Sequence, residues 1–191
     1  MKKIILLSGG FDSALILADE SNKDPKHEIY ALSIDYGQRH YVELDYAEKL
    51  AEKYGVVQHR IISMALPYDS TLTGGEIIES GPPVVPNRNA IFLALAIGWA
   101  ETLDCHDIYI GSNKDDHENF PDCRREFFDR QEEASLYPVR IHTPLINSTK
   151  EDLFQEREAL NEHYHLYLEE TMSCYNGTNC GVCDACLQRN V

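Results

Sequence analysis

The sequence predicts an α/β protein, a doubly wound and mostly parallel sheet followed by a small cysteine-rich C-terminal segment. Three observations carry this prediction. Short apolar runs alternate with helical stretches over residues 3–63, which gives the order βαβαβ typical of such sheets. A Ser-Gly-Gly turn separates the first strand from the first helix. Four of the six cysteines lie within thirteen residues near the end of the chain.

The first three strands and two helices follow from the spacing of apolar residues. Residues 3–7 are nearly all apolar, as expected for a parallel strand covered on both faces. Residues 11–20 predict a helix and residues 29–34 a second strand. Apolar side chains recur at helical spacing over residues 41–54, with charged residues on the other face, and residues 56–63 predict the third strand.

The second half of the chain begins with a segment rich in Gly and Pro, residues 64–87, which is too long for an ordinary connection and indicates a functional loop or lid. Much further along the chain, a predicted capping box from Ser148 to Glu151 marks the beginning of a helix. The other predicted elements are a buried apolar helix over 89–103, a strand over 107–111, a charged helix to about 135, an extended segment over 139–145, the capped helix over 149–162 and a loop-like tail from 172.

Size and charge limit the classes of function. The 191 residues suit one domain with a small appendage, and we divide them into an α/β domain (1–170) and a cysteine-rich tail (171–191). The net charge of -15 opposes binding to nucleic acid or to anionic membranes, because such binding needs surplus Lys and Arg. No apolar run approaches the ~20 residues of a membrane span. We therefore expect a cytoplasmic protein with neither nucleic acid nor membrane as partner.

The segment Ser-Gly-Gly-Phe-Asp-Ser (residues 8–13) predicts a phosphate-binding loop. Two glycines allow a sharp turn, and the helix that follows presents unpaired N–H groups to an anion. Ser8 and Ser13 add hydroxyl donors, and Asp12 could hold Mg²⁺ on the phosphates. The alternative is a tight turn in which Ser or Asp only caps the helix.

The four clustered cysteines predict a metal site. Four thiolates in tetrahedral array form a closed structural zinc site, whereas an iron–sulfur cluster also accepts four cysteines. The spacing favours zinc over iron–sulfur, and both over free thiols. The predicted ligands are Cys174, Cys180, Cys183 and Cys186.

The phosphate loop resembles the PP-loop of the N-type ATP pyrophosphatases. These enzymes cleave ATP between the α and β phosphates and activate a carboxylate or carbonyl oxygen as its adenylate. The resemblance implies an adenine nucleotide alpha hydrolase-like fold. It also implies the ATP-binding positions Leu7, Ser8, Gly9, Gly10, Phe11, Asp12, Ser13 and Ala14.

Further blocks resemble the 7-cyano-7-deazaguanine synthase (QueC) family more specifically. They are, in chain order, Asp-Tyr-Gly-Gln-Arg-His at 35–40, Arg88-Asn89 with Phe92-Leu93, Phe-Pro-Asp-Cys-Arg at 120–124, and the tail segments 171–177 and 180–186. His-Thr-Pro-Leu at 142–145, followed by Lys150, is a weaker match. These blocks extend over nearly the whole chain.

This resemblance implies an ATP-dependent ligase of queuosine biosynthesis. Its members convert 7-carboxy-7-deazaguanine and ammonia to 7-cyano-7-deazaguanine (preQ0) through an adenylated carboxylate and an amide, using ATP with Mg²⁺ and a structural Zn²⁺, and relatives suggest a homodimer. The implied catalytic residues are Asp12, Arg88, Arg124 and Lys150, since basic groups neutralise charge growing on phosphate. Weaker candidates are Arg39, His40, Asp116, Asp122 and Cys123.

Three departures from the family pattern surround the predicted substrate pocket and spare the ATP loop. Asn87 stands where members usually have Gly, Glu118-Asn119 where Ser-Gly is expected, and Phe120 where Tyr is commoner. They leave open a diverged PP-loop ligase that stops at the amide or uses another carboxylate. A non-catalytic, zinc-stabilised nucleotide-binding module and a tRNA-thiolating enzyme are further alternatives, and the net charge of -15 counts against the last.

Overall fold

A computed structural model describes residues 1–68, 70, 72–73, 84–155 and 157–189. The middle of the predicted loop over 64–87 therefore lies outside the described residues. Within the described ranges, no helix is both long enough and apolar enough to cross a membrane.

Five strands form one sheet in the order β3-β2-β1-β4-β5, and each neighbouring pair of described strands is parallel. The order reverses between β1 and β4, because β2 and β3 lie on one side of β1 and β4 and β5 on the other. Open α/β sheets bind ligands beyond the carboxyl ends of the strands at such a point. The strands are β1 (Lys2–Leu6), β2 (Glu28–Asp35), β3 (Gln58–Ser63), β4 (Asp107–Tyr109) and β5 (Arg140–His142).

Helices cover both faces of the sheet. Ile5 belongs to a core cluster with residues of α1 and α2, whereas Ile4 belongs to a second cluster with residues of α3 and α5, as the alternation of side chains along a strand requires. Two 3-10 turns lie at Pro121–Cys123 and Leu168–Glu170. The helices are α1 (Phe11–Lys23), α2 (Glu43–Lys53), α3 (Arg88–Leu103), α4 (Asp116–Asn119), α5 (Arg125–Ala134), α6 (Lys150–Gln155), α7 (Arg157–Tyr164) and α8 (Asp184–Arg189).

The apolar helix α3 is less buried than its sequence predicts. Leu93 and Trp99 face the core, but Ile91 and Leu95 are only half-buried and Ala94 is exposed. A helix that lies on one face of a sheet can bury only one side, so the remaining apolar side chains form a surface.

The capping box of α6 lies one residue later than predicted. The Asp152 N–H donates to Thr149 Oγ1 at 3.1 Å, and the Thr149 N–H donates to Asp152 Oδ2 at 3.0 Å. The reciprocal pair is thus Thr149 and Asp152, and not Ser148 and Glu151. The tail also differs from a loop, because α8 follows within the cysteine segment. The division of the chain at residues 170 and 171 stays a prediction.

Candidate active site

A cavity of about 260 Å³ opens at the carboxyl edge of the sheet, where the strand order reverses. The parts of the chain that line this main cavity include the phosphate loop, the end of β2 and the segment leading into α2, the start of α3, the turn after β4, residues 120 and 123, the start of α6 and the cysteine-rich tail. Most of the predicted site residues lie on its wall, namely Leu7, Ser8, Gly10, Phe11, Asp12, Ser13, Arg88 and Lys150.

The two glycines of the phosphate loop, Gly9 and Gly10, each have a local physical reason. Gly9 has φ +85°, and a Cβ on it would overlap the carbonyl oxygen of Glu43 in α2. Gly10 is the N-cap of α1 and has no side chain to occupy the first N–H groups of that helix. The loop therefore packs tightly on α2 while its helix presents donors towards the cavity. Gly9 itself and the buried Ala14 are not on the cavity wall.

The two loop serines brace the turn. The Ser8 N–H donates to Ser13 Oγ at 3.2 Å, and the two hydroxyl oxygens lie 3.1 Å apart. The Gly10 N–H donates to Ser8 Oγ at 3.2 Å, and the Ser13 hydroxyl donates to the Gly10 carbonyl oxygen at 3.0 Å. This network fixes the backbone whose N–H groups would meet phosphate.

Besides Glu43, two carboxyl groups and one ammonium group line the main cavity: Asp12, Asp116 and Lys150. Burial raises the pKa of Asp12 and of Asp116, while the charge of Lys150 opposes both increases. Burial alone would lower the pKa of Lys150, but the two carboxylates raise it above its ordinary value. Lys150 is therefore a permanent cation at neutral pH.

Asn113 links the two carboxyl groups, and sequence reasoning missed it. Its side chain is completely buried, and Nδ2 donates to Asp12 Oδ2 at 2.9 Å. Its Oδ1 accepts the N–H groups of Asp115 at 3.0 Å and Asp116 at 3.3 Å. A signal was present, because a polar Ser-Asn pair follows directly after the predicted strand over 107–111, at the edge where ligands bind.

Arg88 lines both the main cavity and a neighbouring cavity, whereas Arg124 lines only the neighbouring one. Arg88 Nη1 donates to the Tyr36 hydroxyl at 3.5 Å; burial alone would lower its pKa, but the surrounding groups, Tyr36 first, raise it. Arg124 Nε donates to the His117 carbonyl oxygen at 2.9 Å, and its side chain lines a neighbouring cavity. Both cavities share Arg88, Phe120 and Cys123.

The weaker candidates differ in where they lie. Asp122 Oδ2 accepts the Asn89 N–H at 3.4 Å at the start of α3, which is a capping contact. Cys123 lines the main cavity, but burial raises the pKa of its thiol to about 12, so it is no nucleophile at neutral pH. His40 also lines the cavity, and its Nε2 lies 3.3 Å from Glu43 Oε2. Arg39 does not line it.

Asn87, one of the departures from the family pattern, has φ 56° and ψ 22°, in the left-handed region. Glycine adopts this conformation most readily, and among the other residues Asn tolerates it well. The loop before α3 thus has the backbone conformation that a glycine would favour. The side chains of Glu118 and Asn119 lie outside the described part of the chain.

The four predicted metal ligands come together in space. The candidate ligand atoms of Cys174, Cys180, Cys183 and Cys186 all lie within 4.8 Å of one another, and two of the Sγ–Sγ distances are 4.0 Å. A tetrahedral zinc with bonds of ~2.3 Å has sulfur–sulfur edges of about 3.8 Å. Backbone N–H groups lower the pKa of Cys180 to about 6. The donor set fits a four-thiolate metal site.

The cysteine-rich tail packs directly on the phosphate loop. The Met172 N–H donates to the Gly9 carbonyl oxygen at 2.8 Å, and the Phe11 N–H donates to Ser173 Oγ at 3.4 Å. Met172, Ser173 and Tyr175 line the main cavity. The cysteine-rich tail thus forms one wall of the cavity.

The fold and this site together define an α/β protein of the PP-loop, adenine nucleotide alpha hydrolase-like class. The fold is similar to that of the U34-tRNA thiolase NcsA from Methanococcus maripaludis with its 4Fe-4S cluster, with a TM-score of 0.59 and 20% identity. The match covers 92% of this chain and 60% of that one, and at this identity it shows the fold alone.

Sequence comparison identifies the family. The model of the family described as Queuosine biosynthesis protein QueC matches residues 2–191. The chain is 41% identical to the 7-cyano-7-deazaguanine synthase of Magnetococcus marinus, over 99% of this chain and 90% of that protein. It is 39% identical to the synthase of that name from Methylobacillus flagellatus, over 98% of this chain and 89% of the relative. The chain belongs to the QueC family.

These comparisons confirm three predictions: the family resemblance, the α/β fold class and an enzyme of queuosine biosynthesis. The match extends through the phosphate loop, the start of α3 and the cysteine-rich tail, which are the parts that form the main cavity. The roles of individual residues are proposals, which follow.

Proposed function

We propose that this enzyme converts 7-carboxy-7-deazaguanine and ammonia to 7-cyano-7-deazaguanine at the expense of ATP. One observation carries the proposal: in a chain of the QueC family, the phosphate loop, two carboxyl groups and two basic side chains meet in one cavity. A carboxylate is a poor electrophile, so its activation as an adenylate is what such a cavity must accomplish.

The phosphate loop and the basic residues would handle the ATP. The N–H groups at the start of α1 would bind phosphate oxygens, and Lys150 and Arg88 would neutralise charge as pyrophosphate leaves. Asp12 and Asp116 are the oxygen ligands we assign to Mg²⁺, which when bound neutralises phosphate charge. Asn113 holds the Asp12 carboxylate in position through its Nδ2.

The chemistry needs two activations. In the first, the acid carboxylate attacks the α phosphate of ATP, pyrophosphate leaves, and ammonia displaces AMP to form the amide. In the second, the amide oxygen attacks the α phosphate of another ATP and pyrophosphate leaves; the nitrile then forms as that oxygen departs with AMP and the nitrogen loses its two protons. We assign Arg124, which lines the neighbouring cavity, to the side that binds the acid substrate.

We also propose that the four cysteines hold a structural Zn²⁺. The sulfur–sulfur distances of 4.0 Å support this, and four thiolates leave no open position for water. Elemental analysis of the purified protein should find one zinc per chain. Iron with acid-labile sulfide would contradict this assignment.

A homodimer in the cytoplasm is the assembly and location we propose. The outer face of α3 supports the dimer, because Ile91 and Leu95 are half-buried and Ala94 and Gly98 are exposed there. Light scattering should give twice the chain mass, and Ala94→Glu should give a monomer.

The net charge of -15 and the thiolate site support a reducing compartment and small-molecule substrates.

Mass spectrometry of the products tests the function directly. The protein is incubated with 7-carboxy-7-deazaguanine, ATP, Mg²⁺ and ammonium, with Lys150→Ala as the matched inactive variant. Nitrile with AMP and pyrophosphate is the expected result. Amide alone would identify a ligase that stops at the amide, and ATP bound but never cleaved with any acid would identify a non-catalytic module.

A further inference from the structure

A short segment between the sheet domain and the cysteine cluster lies across the phosphate loop. We call residues 168–173 the strap. Thr171 and Met172 are buried, and Met172 donates its N–H to Gly9 at 2.8 Å. Ser173 lines the main cavity, and the next residue is the cluster cysteine Cys174.

The guanidinium of Arg189 holds the strap from the other side. Its Nη2 donates to the carbonyl oxygens of Leu168 at 2.6 Å and Thr171 at 3.1 Å. Its Nη1 donates to Thr171 Oγ1 at 3.3 Å and to Ser173 Oγ at 3.4 Å. Arg189 belongs to α8, the helix that also carries Cys186. One fixed fork therefore connects the cysteine-bearing helix to four acceptors on the strap.

Among the described residues, these contacts leave the Ser173 hydroxyl hydrogen without an acceptor. A hydroxyl has two acceptor lone pairs and one donor. Ser173 Oγ accepts from the Phe11 N–H at 3.4 Å and from Arg189 Nη1 at 3.4 Å, so both acceptor positions are used. The O–H remains as a donor on the wall of the cavity, beside the first N–H group of α1.

We propose that Ser173 donates its hydroxyl to the phosphates of bound nucleotide and that Arg189 is the positioning residue that holds it there. The inference rests on the proposed use of ATP and deepens it. The phosphate site is completed by the C-terminal segment, with one donor set from the loop after β1 and one donor from the strap. Arg189 itself contacts the strap and does no chemistry.

Calorimetry with a non-hydrolysable ATP analogue and Mg²⁺ tests this proposal on the zinc-loaded protein. Ser173→Ala should raise the Kd of the analogue about tenfold, the usual effect of one hydrogen bond to a charged group. Arg189→Gln should raise it at least as much, because the strap loses four contacts. The Kd of Arg189→Lys should lie between those of the wild type and of Arg189→Gln. An ammonium group keeps the charge but cannot reproduce the fork of hydrogen bonds.

Matched controls separate this role from general stability. Ser21→Ala removes a hydroxyl that donates only to the Leu17 carbonyl oxygen, and Arg130→Gln removes an exposed arginine paired with Glu126. Both should bind the analogue as the wild type does. In steady-state assays, Ser173→Ala should raise the KM for ATP and leave the KM for ammonia unchanged, with zinc content at the wild-type value.

The outcomes distinguish the two proposals. Wild-type protein that binds the analogue but makes no nitrile would refute the proposed acid substrate and leave the strap's role intact. Unchanged or tighter binding by Ser173→Ala would overturn the inference, because the hydroxyl would then be neutral or a competitor for the Phe11 N–H. Wild-type protein that binds no nucleotide would overturn it as well.

Discussion

At Gly9 the chain requires a residue without a Cβ for two separate reasons. The positive φ is strained for any other residue, and a Cβ would overlap the Glu43 carbonyl oxygen. Gly55 also has a positive φ, of +66°, but nothing lies within 4 Å of its Cβ position. This pair allows backbone strain to be separated from packing.

We expect Gly9→Ala to lower the free energy of unfolding by about 3 kcal/mol, the sum of overpacking and φ strain, and to abolish nucleotide binding. Gly55→Ala should cost only about 1 kcal/mol, from φ strain alone. Urea denaturation of both variants measures the difference. Equal decreases in the free energy of unfolding would mean that the close contact of Gly9 with α2 adds nothing to the cost of the substitution.

Asp12 gives a prediction about pH. Because its folded-state pKa is raised, mainly by burial, the stability it contributes is complete below its unfolded pKa of ~3.9 and is lost as pH rises through the folded-state pKa. At pH 7, where the carboxyl group is ionised in the unfolded chain, Asp12 therefore makes the fold less stable than a neutral side chain would. Asp12→Asn should raise the Tm at pH 7, with a difference that shrinks towards pH 4, while turnover disappears. A Tm difference that is the same at pH 4 and pH 7 would contradict this account.

Helix α6 presents Lys150 to the cavity, and its first turn depends on the capping box of Thr149 and Asp152. Thr149→Ala should lower the free energy of unfolding by about 1 kcal/mol. It should also reduce kcat/KM, because Lys150 is the first residue of the helix. Ser148→Ala is the matched control and should change neither quantity. Chemical denaturation and steady-state kinetics measure both effects.

The types of the elements could be predicted from the sequence better than the exact residues at which they begin and end. Apolar runs and helical spacing identify β1 to β3 and α1 to α3, because each of these elements is one contiguous segment of the sequence. The capping box could not be placed, since Ser148–Glu151 and Thr149–Asp152 are offset by only one residue and both fit the pattern. Helix α8 was missed because cysteine ligands interrupt its apolar periodicity.

The site was predictable where its residues are contiguous. The phosphate loop and the four cysteines are short motifs, and each forms a compact structure. Asn113 contacts Asp12 across 101 positions, and Ser173 contacts Phe11 across 162. Such pairs depend on strand order and on the path of the tail, neither of which a local pattern contains. Arg124 shared a block with Cys123, yet only Cys123 lines the main cavity.

On the scale of the whole molecule, the cysteine cluster supports the strap, which packs on the phosphate loop. Removing the metal with a strong chelator should lower the Tm and increase hydrogen exchange in the strap, because α8 and Arg189 lose their anchor. Re-addition of zinc should restore both values. Exchange that rises only within residues 174–186 would show that the cluster and the strap are independent. Mass-spectrometric hydrogen exchange measures this.

The contact between the strap and the phosphate loop also has a consequence for synthesis on the ribosome. A nascent chain exposes residues 8–13 first, and domains fold from the N-terminus as they emerge. The wall formed by Met172 and Ser173 is added only after some 160 further residues, as the 162-position separation of Ser173 and Phe11 requires. If Ser173 completes the nucleotide site as proposed, that site stays incomplete until residue 173 has been synthesised, and before then ATP could not act as a folding template for it.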